Sequence, residues 1–182
     1  MNNSTKTKIL PFSLTALVIL LDQGAKAFIV RNWSLEGWSS LGRFIKDVFG
    51  NDFLHIVHVR NKAIAFSLGH NLPENLRPFL FIIAPLLVLG FLIWYYMSSK
   101  DFNTLQRGAV AGIIGGGLGN IIDRIFRPDG VVDFISVKFY GLLGMDRWPT
   151  FNIADSSVVV CCIIFLISIV IGSRNSGTEA AA

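Results

Sequence analysis

Carboxylate, amide and cationic side chains gather at the ends of long apolar segments in this sequence. A charged residue at the centre of a membrane span costs roughly 2.5–3.5 kcal/mol, so such residues are rare in spans unless they are paired or functional. Those at segment ends are Asp22, Lys26, Asn120, Asp123, Arg124, Asn152 and Asp155. Asn61 and Asp133 lie in two of the connecting loops. These residues are the candidates for chemistry.

The chemistry that these groups offer is that of carboxylates. The sequence shows no Ser-His-Asp constellation, and Cys161 and Cys162 lie inside an apolar segment, too deep to meet a water-borne base. The remaining candidates are Asp22, Asp123, Asp133 and Asp155. Two neighbouring aspartates share one proton because both cannot ionise easily. Such a pair predicts general acid–base hydrolysis of a peptide bond, with no cofactor and no metal.

Four apolar segments are long enough to cross a membrane, which takes about 20 residues. Hydrophobic residues make up 52% of the chain and charged residues only 15%, against about a quarter charged in soluble domains. The predicted spans are Ile9–Ile29, Leu76–Met97, Leu105–Phe126 and Phe151–Ile171. Four spans place both termini on one side, so the end of the first, the end of the third and the start of the fourth meet at the other face.

The loops at that face predict a small sheet on the membrane surface. Phe53–Val59, Ile64–Leu68 and Val131–Phe139 contain the β-branched and aromatic residues typical of short strands. We expect the amphipathic loop Asn32–Phe49 to lie on the membrane and cover the site. We also expect an amphipathic surface helix on the extracytoplasmic face. The predicted fold is therefore a mainly α membrane protein of one domain, residues 1–182. We expect the tail Ser173–Ala182 to be disordered.

The net charge of +4 does not indicate nucleic-acid binding. Basic residues that form no single stripe, but lie between apolar segments, are suited to lipid headgroups. Cations next to span ends in short loops predict cytoplasmic termini; they are Lys6, Lys8, Lys100, Arg107 and Arg174. In the third span, Gly108, Gly112 and Gly116 follow a small-xxx-small spacing that lets helices approach closely.

Each polar residue also has a purely structural interpretation. Asp22 and Lys26 stand four residues apart and can pair on one helix face. Asp155 can cap the fourth helix. Asp123 and Arg124 are adjacent and cannot face each other on a helix, so each needs another partner. The convergence of all of them on one face favours a site.

Two other classes of function remain open from the residues alone. A magnesium-dependent lipid transferase would use aspartates at a membrane surface to hold Mg²⁺. The acids here are interleaved with Asn and Arg and form no dense metal-binding box. A transporter or proton relay would carry polar residues through the membrane midplane, whereas these stop at one face.

Four segments resemble sequence boxes of the prolipoprotein signal peptidase family, also called signal peptidase II, and occur in the family's order. They are Asp22-Gln23-Gly24-Ala25-Lys26, the glycine-rich run from Gly116 to Arg124, Val131-Val132-Asp133-Phe134, and Phe151-Asn152-Ile153-Ala154-Asp155-Ser156. A fifth box departs from the family's Asn-x-Gly-Ala-Ala-Phe, because Ala63 and Ile64 replace a glycine and an alanine after Asn61.

The resemblance implies a role for each site residue. Asp133 and Asp155 would be the catalytic pair. The residues that bind substrate or support the site would be Asp22, Lys26, Asn61, Asn120, Asp123, Arg124, Asn152 and Ala154. It also implies an aspartyl endopeptidase that cuts a prolipoprotein just before its diacylglyceryl-modified cysteine. The family acts at the outer face of the bacterial cytoplasmic membrane, and we expect a monomer whose partners are these substrates and membrane lipids.

Overall fold

Long apolar helices form the body of the protein. The structure, a computed structural model, describes residues 7–35, 42–62, 73, 76–99 and 101–179. Four helices within these ranges have the length and composition to cross a membrane. They are α1 (Phe12–Asn32), α2 (a π-helical turn Phe79–Ile83 continued by the α-helix Ala84–Ser98), α3 (Thr104–Phe126) and α4 (Ile153–Glu179). The four predicted spans are thereby confirmed.

Helix α3 is the centre of the bundle. In its most apolar stretch 56% of the residues are buried inside the protein, against 11–28% in the other three helices. Its glycines permit this position. A Cβ at Gly112 would overlap the Sγ of Cys161, and one at Gly116 would overlap the carbonyl oxygen of Ala154. The α3 and α4 backbones therefore approach as closely as the glycine spacing predicts.

A three-stranded antiparallel sheet joins the bundle at one end, as far as the described residues show. Its order is β1 (Arg43–Asp47), β2 (Leu54–Asn61) and β3 (Val131–Val137). In the register of β2 and β3, Val59 lies opposite Asp133, next to a β-bulge. The predicted strands at Phe53–Val59 and Val131–Phe139 are confirmed as β2 and β3.

Two predictions for the loops need correction or remain open. The segment Asn32–Phe49, expected to be a loop, contains strand β1 at Arg43–Asp47. Antiparallel pairing with β2 satisfies its backbone groups and overrides the amphipathic pattern. The expected surface helix stays a prediction. Residues 36–41 and the predicted strand Ile64–Leu68 lie outside the described residues.

The expected disordered tail is also wrong for most of its length. Helix α4 continues past the predicted span end at Ile171 as far as Glu179. No proline interrupts these residues. Adding one residue to an existing helix costs far less than starting a new one, so the helix extends past the apolar segment.

The sheet packs on the last turns of α1. Ile29 of α1 and Val132 and Phe134 of β3 form a buried apolar cluster, with Trp33 and Ile56 packed against it. The backbone of Ile135 also pairs with Phe151, just before α4 begins. Sheet, α1 and the start of α4 therefore meet at one end of the bundle, which we call the site end.

Close packing at Gly116 predicts a large effect from one added methyl group. We expect Gly116→Ala to destabilise the protein by about 1–3 kcal/mol, the usual effect of overpacking, because the new Cβ would overlap the Ala154 carbonyl. The matched control is Gly108→Ala on the same helix, where a Cβ meets nothing within 4 Å. Thermal unfolding in detergent measures both. Equal stability of the two variants would contradict this packing.

Candidate active site

A buried lysine joins the ends of α1 and α3. Lys26 Nζ lies 2.7 Å from Asp22 Oδ2 and 3.1 Å from Asp123 Oδ2, and all three side chains are fully buried. It also donates to Asn120 Oδ1 at 3.0 Å. Asp22 and Lys26 do pair along one helix face, but the same ammonium also binds α3. One cation thus neutralises an aspartate from each of two helices.

Asp22 and Asp123 each use a second oxygen or lone pair to hold a backbone amide. The Ala154 N–H donates to Asp22 Oδ1 at 3.0 Å, and the Val132 N–H donates to Asp123 Oδ2 at 3.0 Å. Each donor is the residue directly before another aspartate, Asp155 or Asp133. The two ion-paired aspartates therefore fix the backbone that carries the other two.

Asp155 lies in the first turn of α4 and is held by amides. Asn120 Nδ2 donates to its Oδ1 at 2.7 Å, and the backbone N–H of Asn152 donates to its Oδ2 at 3.1 Å. In return, Asn152 Oδ1 accepts from the Asp155 N–H at 2.9 Å, which completes a reciprocal helix cap. Asp155 thus caps α4, as its structural interpretation predicts, and also faces the Asn120 amide.

Asp133 on β3 is held by amides as well. Asn61 Nδ2 donates to its Oδ2 at 3.0 Å, and Asn152 Nδ2 donates to its Oδ1 at 2.7 Å. Its exposed fraction is 1%, and no ion pair to it is found among the described residues. Burial raises the pKa of Asp133 to about 7, with a further contribution from the charge of Asp155, against the lowering effect of the Asn61 and Asn152 donors.

An amide pair connects the two carboxylates. Asn152 Nδ2 lies 3.1 Å from Asn120 Oδ1. Asp133, Asn152, Asn120 and Asp155 are therefore linked in one hydrogen-bonded series. Because Lys26 donates to the same Asn120 oxygen, the orientation of that amide is determined, with its nitrogen directed at Asp155. Two carboxylates whose charges act on each other can share one proton.

The remaining predicted residues also lie at the site end. Arg124 is near enough for its charge to interact with Asp123, Asp133 and Asp155. Ala154 is fully buried and contributes its backbone N–H and its small size. All the site residues predicted from the sequence are therefore brought together.

Two residues of this network received no role from the sequence. Gln23 Nε2 donates to Asp123 Oδ1 at 2.9 Å and to the Gly119 carbonyl at 3.0 Å. Arg127 forms an ion pair with Asp123 and donates to Gln23 Oε1 at 2.8 Å. The i, i+4 spacing of Asp123 and Arg127 was a signal available in the sequence. Gln23 carried no signal of its own beyond its place beside Asp22.

The structure separates the four aspartates into two kinds. Asp22 and Asp123 are neutralised by Lys26 and Arg127, while Asp133 and Asp155 receive amide donors. No group of three or more His, Cys, Asp or Glu side chains within the described ranges is arranged to bind a metal ion. A membrane bundle with a pair of amide-held carboxylates at one end has the architecture of a membrane aspartic peptidase.

Comparison with known proteins identifies the family. Residues 14–171 match the family model described as signal peptidase (SPase) II. The chain is 44% identical to the lipoprotein signal peptidase of Treponema pallidum, over 91% of this chain and 85% of that protein. It is 45% identical to that of Treponema denticola, over 88% of each. The chain belongs to the signal peptidase II family, as the sequence boxes predicted, and is an aspartic peptidase.

Two solved structures share the fold of this chain. A protein described as a bacterial membrane enzyme superposes with a TM-score of 0.71 at 26% identity, over 91% of this chain and 90% of the other. A second structure with the same description superposes with a TM-score of 0.67 at 28% identity. The fold of a multi-pass membrane enzyme is therefore shared well beyond the site.

Removal of the central lysine charge tests the ionic network. We expect Lys26→Met to destabilise the protein by about 3–5 kcal/mol, because Asp22 and Asp123 would stay buried without the cation that they share. The control is Lys46→Met, at an exposed position on β1. Thermal unfolding in detergent compares the two, and adding Asp22→Asn should recover part of the loss. A Lys26→Met protein as stable as the control would contradict the proposed ionic link.

Proposed function

We propose that this protein removes the signal peptide from diacylglyceryl-modified prolipoproteins, with Asp133 and Asp155 as the catalytic pair. The two Treponema relatives are named lipoprotein signal peptidases. The choice of this pair rests on the ion-pair and hydrogen-bond partners of the four site aspartates. Within the described part of the chain, Asp22 and Asp123 form ion pairs with Lys26 and Arg127, whereas Asp133 and Asp155 form none and are held by asparagine amides.

The environments of the two carboxylates favour different roles as acid and base. Burial raises the pKa of Asp133 to about 7, so a substantial fraction of this carboxyl is protonated at neutral pH. Asp155 lies in the first turn of α4, where the helix dipole stabilises a negative charge. We infer that Asp133 is the general acid and Asp155 the general base. The charge of Asp155 contributes to the raised pKa of Asp133.

Hydrolysis then follows with all protons accounted for. Asp155 takes a proton from water as the water oxygen attacks the scissile carbonyl carbon. Asp133 gives its proton to the carbonyl oxygen, which forms a neutral diol. When the C–N bond breaks, Asp155 returns its proton to the leaving nitrogen and a diol hydroxyl reprotonates Asp133. Both groups end in their starting states.

The same proposal includes where the enzyme works. The site lies at the end of the bundle where α1 and α3 end and α4 begins. Cations near the other end of the spans, such as Lys8 and Arg107, favour cytoplasmic termini. The site then faces the outer side of a bacterial cytoplasmic membrane, at the depth where a lipid-anchored cysteine is held. The enzyme works as a monomer among membrane lipids.

Substitution of either carboxylate tests the catalytic pair. We expect Asp133→Asn and Asp155→Asn each to abolish cleavage of a diacylglyceryl-modified prolipoprotein by the purified protein, because an amide can neither donate an acidic proton nor accept one from water. The assay contains a chelator, because a metal-dependent enzyme would lose its cleavage activity under that condition.

The matched control for these variants is Asp129→Asn, an exposed acid in the turn between α3 and β3, which should cleave as the wild type does. An unlipidated precursor in the same assay shows whether the diacylglyceryl group is required. If folded Asp133→Asn and Asp155→Asn still cleave, the pair is wrong. If the wild type cleaves only after Mg²⁺ is restored, the metal-free mechanism is wrong.

The raised pKa of Asp133 predicts how activity depends on pH. Because Asp133 must be protonated to act as the acid, kcat/KM should fall as the pH rises above about 7, by about tenfold for each further pH unit. The measurement is the initial rate of cleavage from pH 5 to 9 at low substrate concentration. A rate that stays constant from pH 6 to 9 would contradict the role of Asp133 as acid.

The pH dependence of the free energy of unfolding is the control that assigns this pKa to Asp133. In the unfolded chain Asp133 loses its proton near its ordinary pKa of 3.8, and in the folded protein near 7. Between those values the folded state binds one more proton, so the free energy of unfolding should decrease as the pH rises through this window. Asp133→Asn should lack this part of the decrease. If its pH dependence equals that of the wild type, another group causes the loss of activity.

A further inference from the structure

The hairpin Lys138–Arg147, between β3 and α4, carries exposed apolar side chains at its tip. Tyr140, Leu142 and Leu143, which we call the apolar tip, are 72%, 60% and 77% exposed. For comparison, Phe91 on the membrane-spanning helix α2 is 63% exposed. Neighbouring exposed apolar side chains outside a span mark surfaces that bind a partner or a membrane. The acid–base chemistry of the proposed reaction does not use them.

The backbone is strained where it carries two of these side chains. Tyr140 and Leu143 have φ angles of +52° and +55°, in the left-handed region that residues other than glycine rarely adopt. Gly141 and Gly144 complete the turns, and the Gly141 N–H donates to the Met145 carbonyl oxygen at 3.0 Å. The turn thus keeps its apolar side chains exposed at a cost in free energy. An apolar environment around them would offset this cost.

The base of the hairpin is fixed to the sheet, so the tip has a defined direction. Arg147 donates to Ser136 Oγ at 2.8 Å and to the Ser136 carbonyl oxygen at 2.9 Å. It also forms an ion pair with Asp52, in the turn between β1 and β2. Lys138 pairs with the same Asp52 and with Asp146 at 2.9 Å each. Two cations therefore face two carboxylates, and the base carries no excess charge that would oppose an approach to lipid.

The hairpin begins close to the membrane boundary. The Ile135 N–H donates to the Phe151 carbonyl oxygen at 2.9 Å, and the membrane-spanning part of α4 begins two residues after Phe151, at Ile153. Arg147 at the base stands six residues before Ile153, a separation of at most about 20 Å. The apolar tip is therefore within reach of the lipid beside the bundle.

The chemistry of the tip fits a lipid surface. A tyrosine next to leucines, with a lysine and an arginine a few residues away, has the composition of segments that lie at the membrane interface. Three side chains alone provide much less than the roughly 800 Å² that each partner contributes to a stable protein–protein interface. We propose that the apolar tip inserts into the membrane beside the bundle and anchors the sheet to the lipid surface. This anchor requires neither the catalytic pair nor an anionic lipid.

The accessibility of a spin label in lipid vesicles tests the insertion. A nitroxide is attached to Leu143→Cys in the full-length protein, with Cys161→Ala and Cys162→Ala, in phosphatidylcholine vesicles. We expect the label to collide more often with oxygen, which concentrates in lipid, than with a water-soluble nickel complex. The lipid reference is the same label at Phe91→Cys, and the water reference is Asp129→Cys, at an exposed position between α3 and β3. A label at position 143 as accessible to nickel as the water reference would overturn the proposal.

Replacement of the leucines tests whether they hold the tip in lipid. With the label at Tyr140→Cys, the pair Leu142→Ser and Leu143→Ser should raise nickel collisions toward the water reference, because serine lacks the apolar surface that favours lipid. The matched control is Phe44→Ser, which removes a 53% exposed apolar side chain from β1. It should leave the label unchanged. Equal effects of the two changes would show that the whole sheet contacts lipid, and the assignment to the tip would be wrong.

Two further arms identify what covers the tip. Dilution with unlabelled protein should leave the spectrum of the label at position 143 unchanged. Line narrowing on dilution would show that labels of two copies approach each other, and would overturn the lipid in favour of a second copy of the chain. Added phosphatidylglycerol should not change the accessibility. A label that enters lipid only when phosphatidylglycerol is present would contradict attachment by the apolar side chains. None of these results depends on peptidase activity.

Discussion

The ammonium group of Lys26 is the interaction on which the site depends. It joins Asp22 of α1 to Asp123 and Asn120 of α3. The three charged side chains are fully buried, and any one of these charges alone would be strongly destabilising. Each aspartate in turn holds the backbone of a further element. Asp22 accepts from the N–H before Asp155, and Asp123 accepts from the N–H before Asp133. One buried cation thus sets the positions of both proposed catalytic carboxylates without contacting either through an ion pair.

This separation of roles has a chemical reason. An opposite charge beside a carboxylate favours its charged form, which makes donation of a proton less favourable. Asp133 is buried with two amide donors instead, and its pKa rises to about 7. The protein therefore uses its cations to build the site and uses amides to hold the groups that react. Asn120 connects the two sets, since its oxygen accepts from Lys26 while its nitrogen donates to Asp155.

The sequence predicted the spans and the site because each depends on a local pattern. Apolar length identifies a membrane helix, and the costly polar residues at span ends identify the face where they meet. Strand β1 could not be predicted, because its pairing with β2 depends on partners distant in sequence. The contacts of Gln23 with Asp123 and Arg127 likewise depend on how α1 meets α3.

The glycines of α3 connect helix packing to the chemistry. The sequence explains them by close approach of helices, and at Gly112 that explanation is sufficient, since a Cβ there would meet Cys161. At Gly119 the neighbours are different. A Cβ would stand 2.9 Å from Asp22 Oδ2 and 3.1 Å from the Ala154 Cβ. A side chain at this position would push apart the carboxylate and the residue whose N–H it holds. The absence of a side chain at Gly119 is therefore a condition for the Asp22 contact that positions Asp155, and the glycine serves the site as much as the bundle.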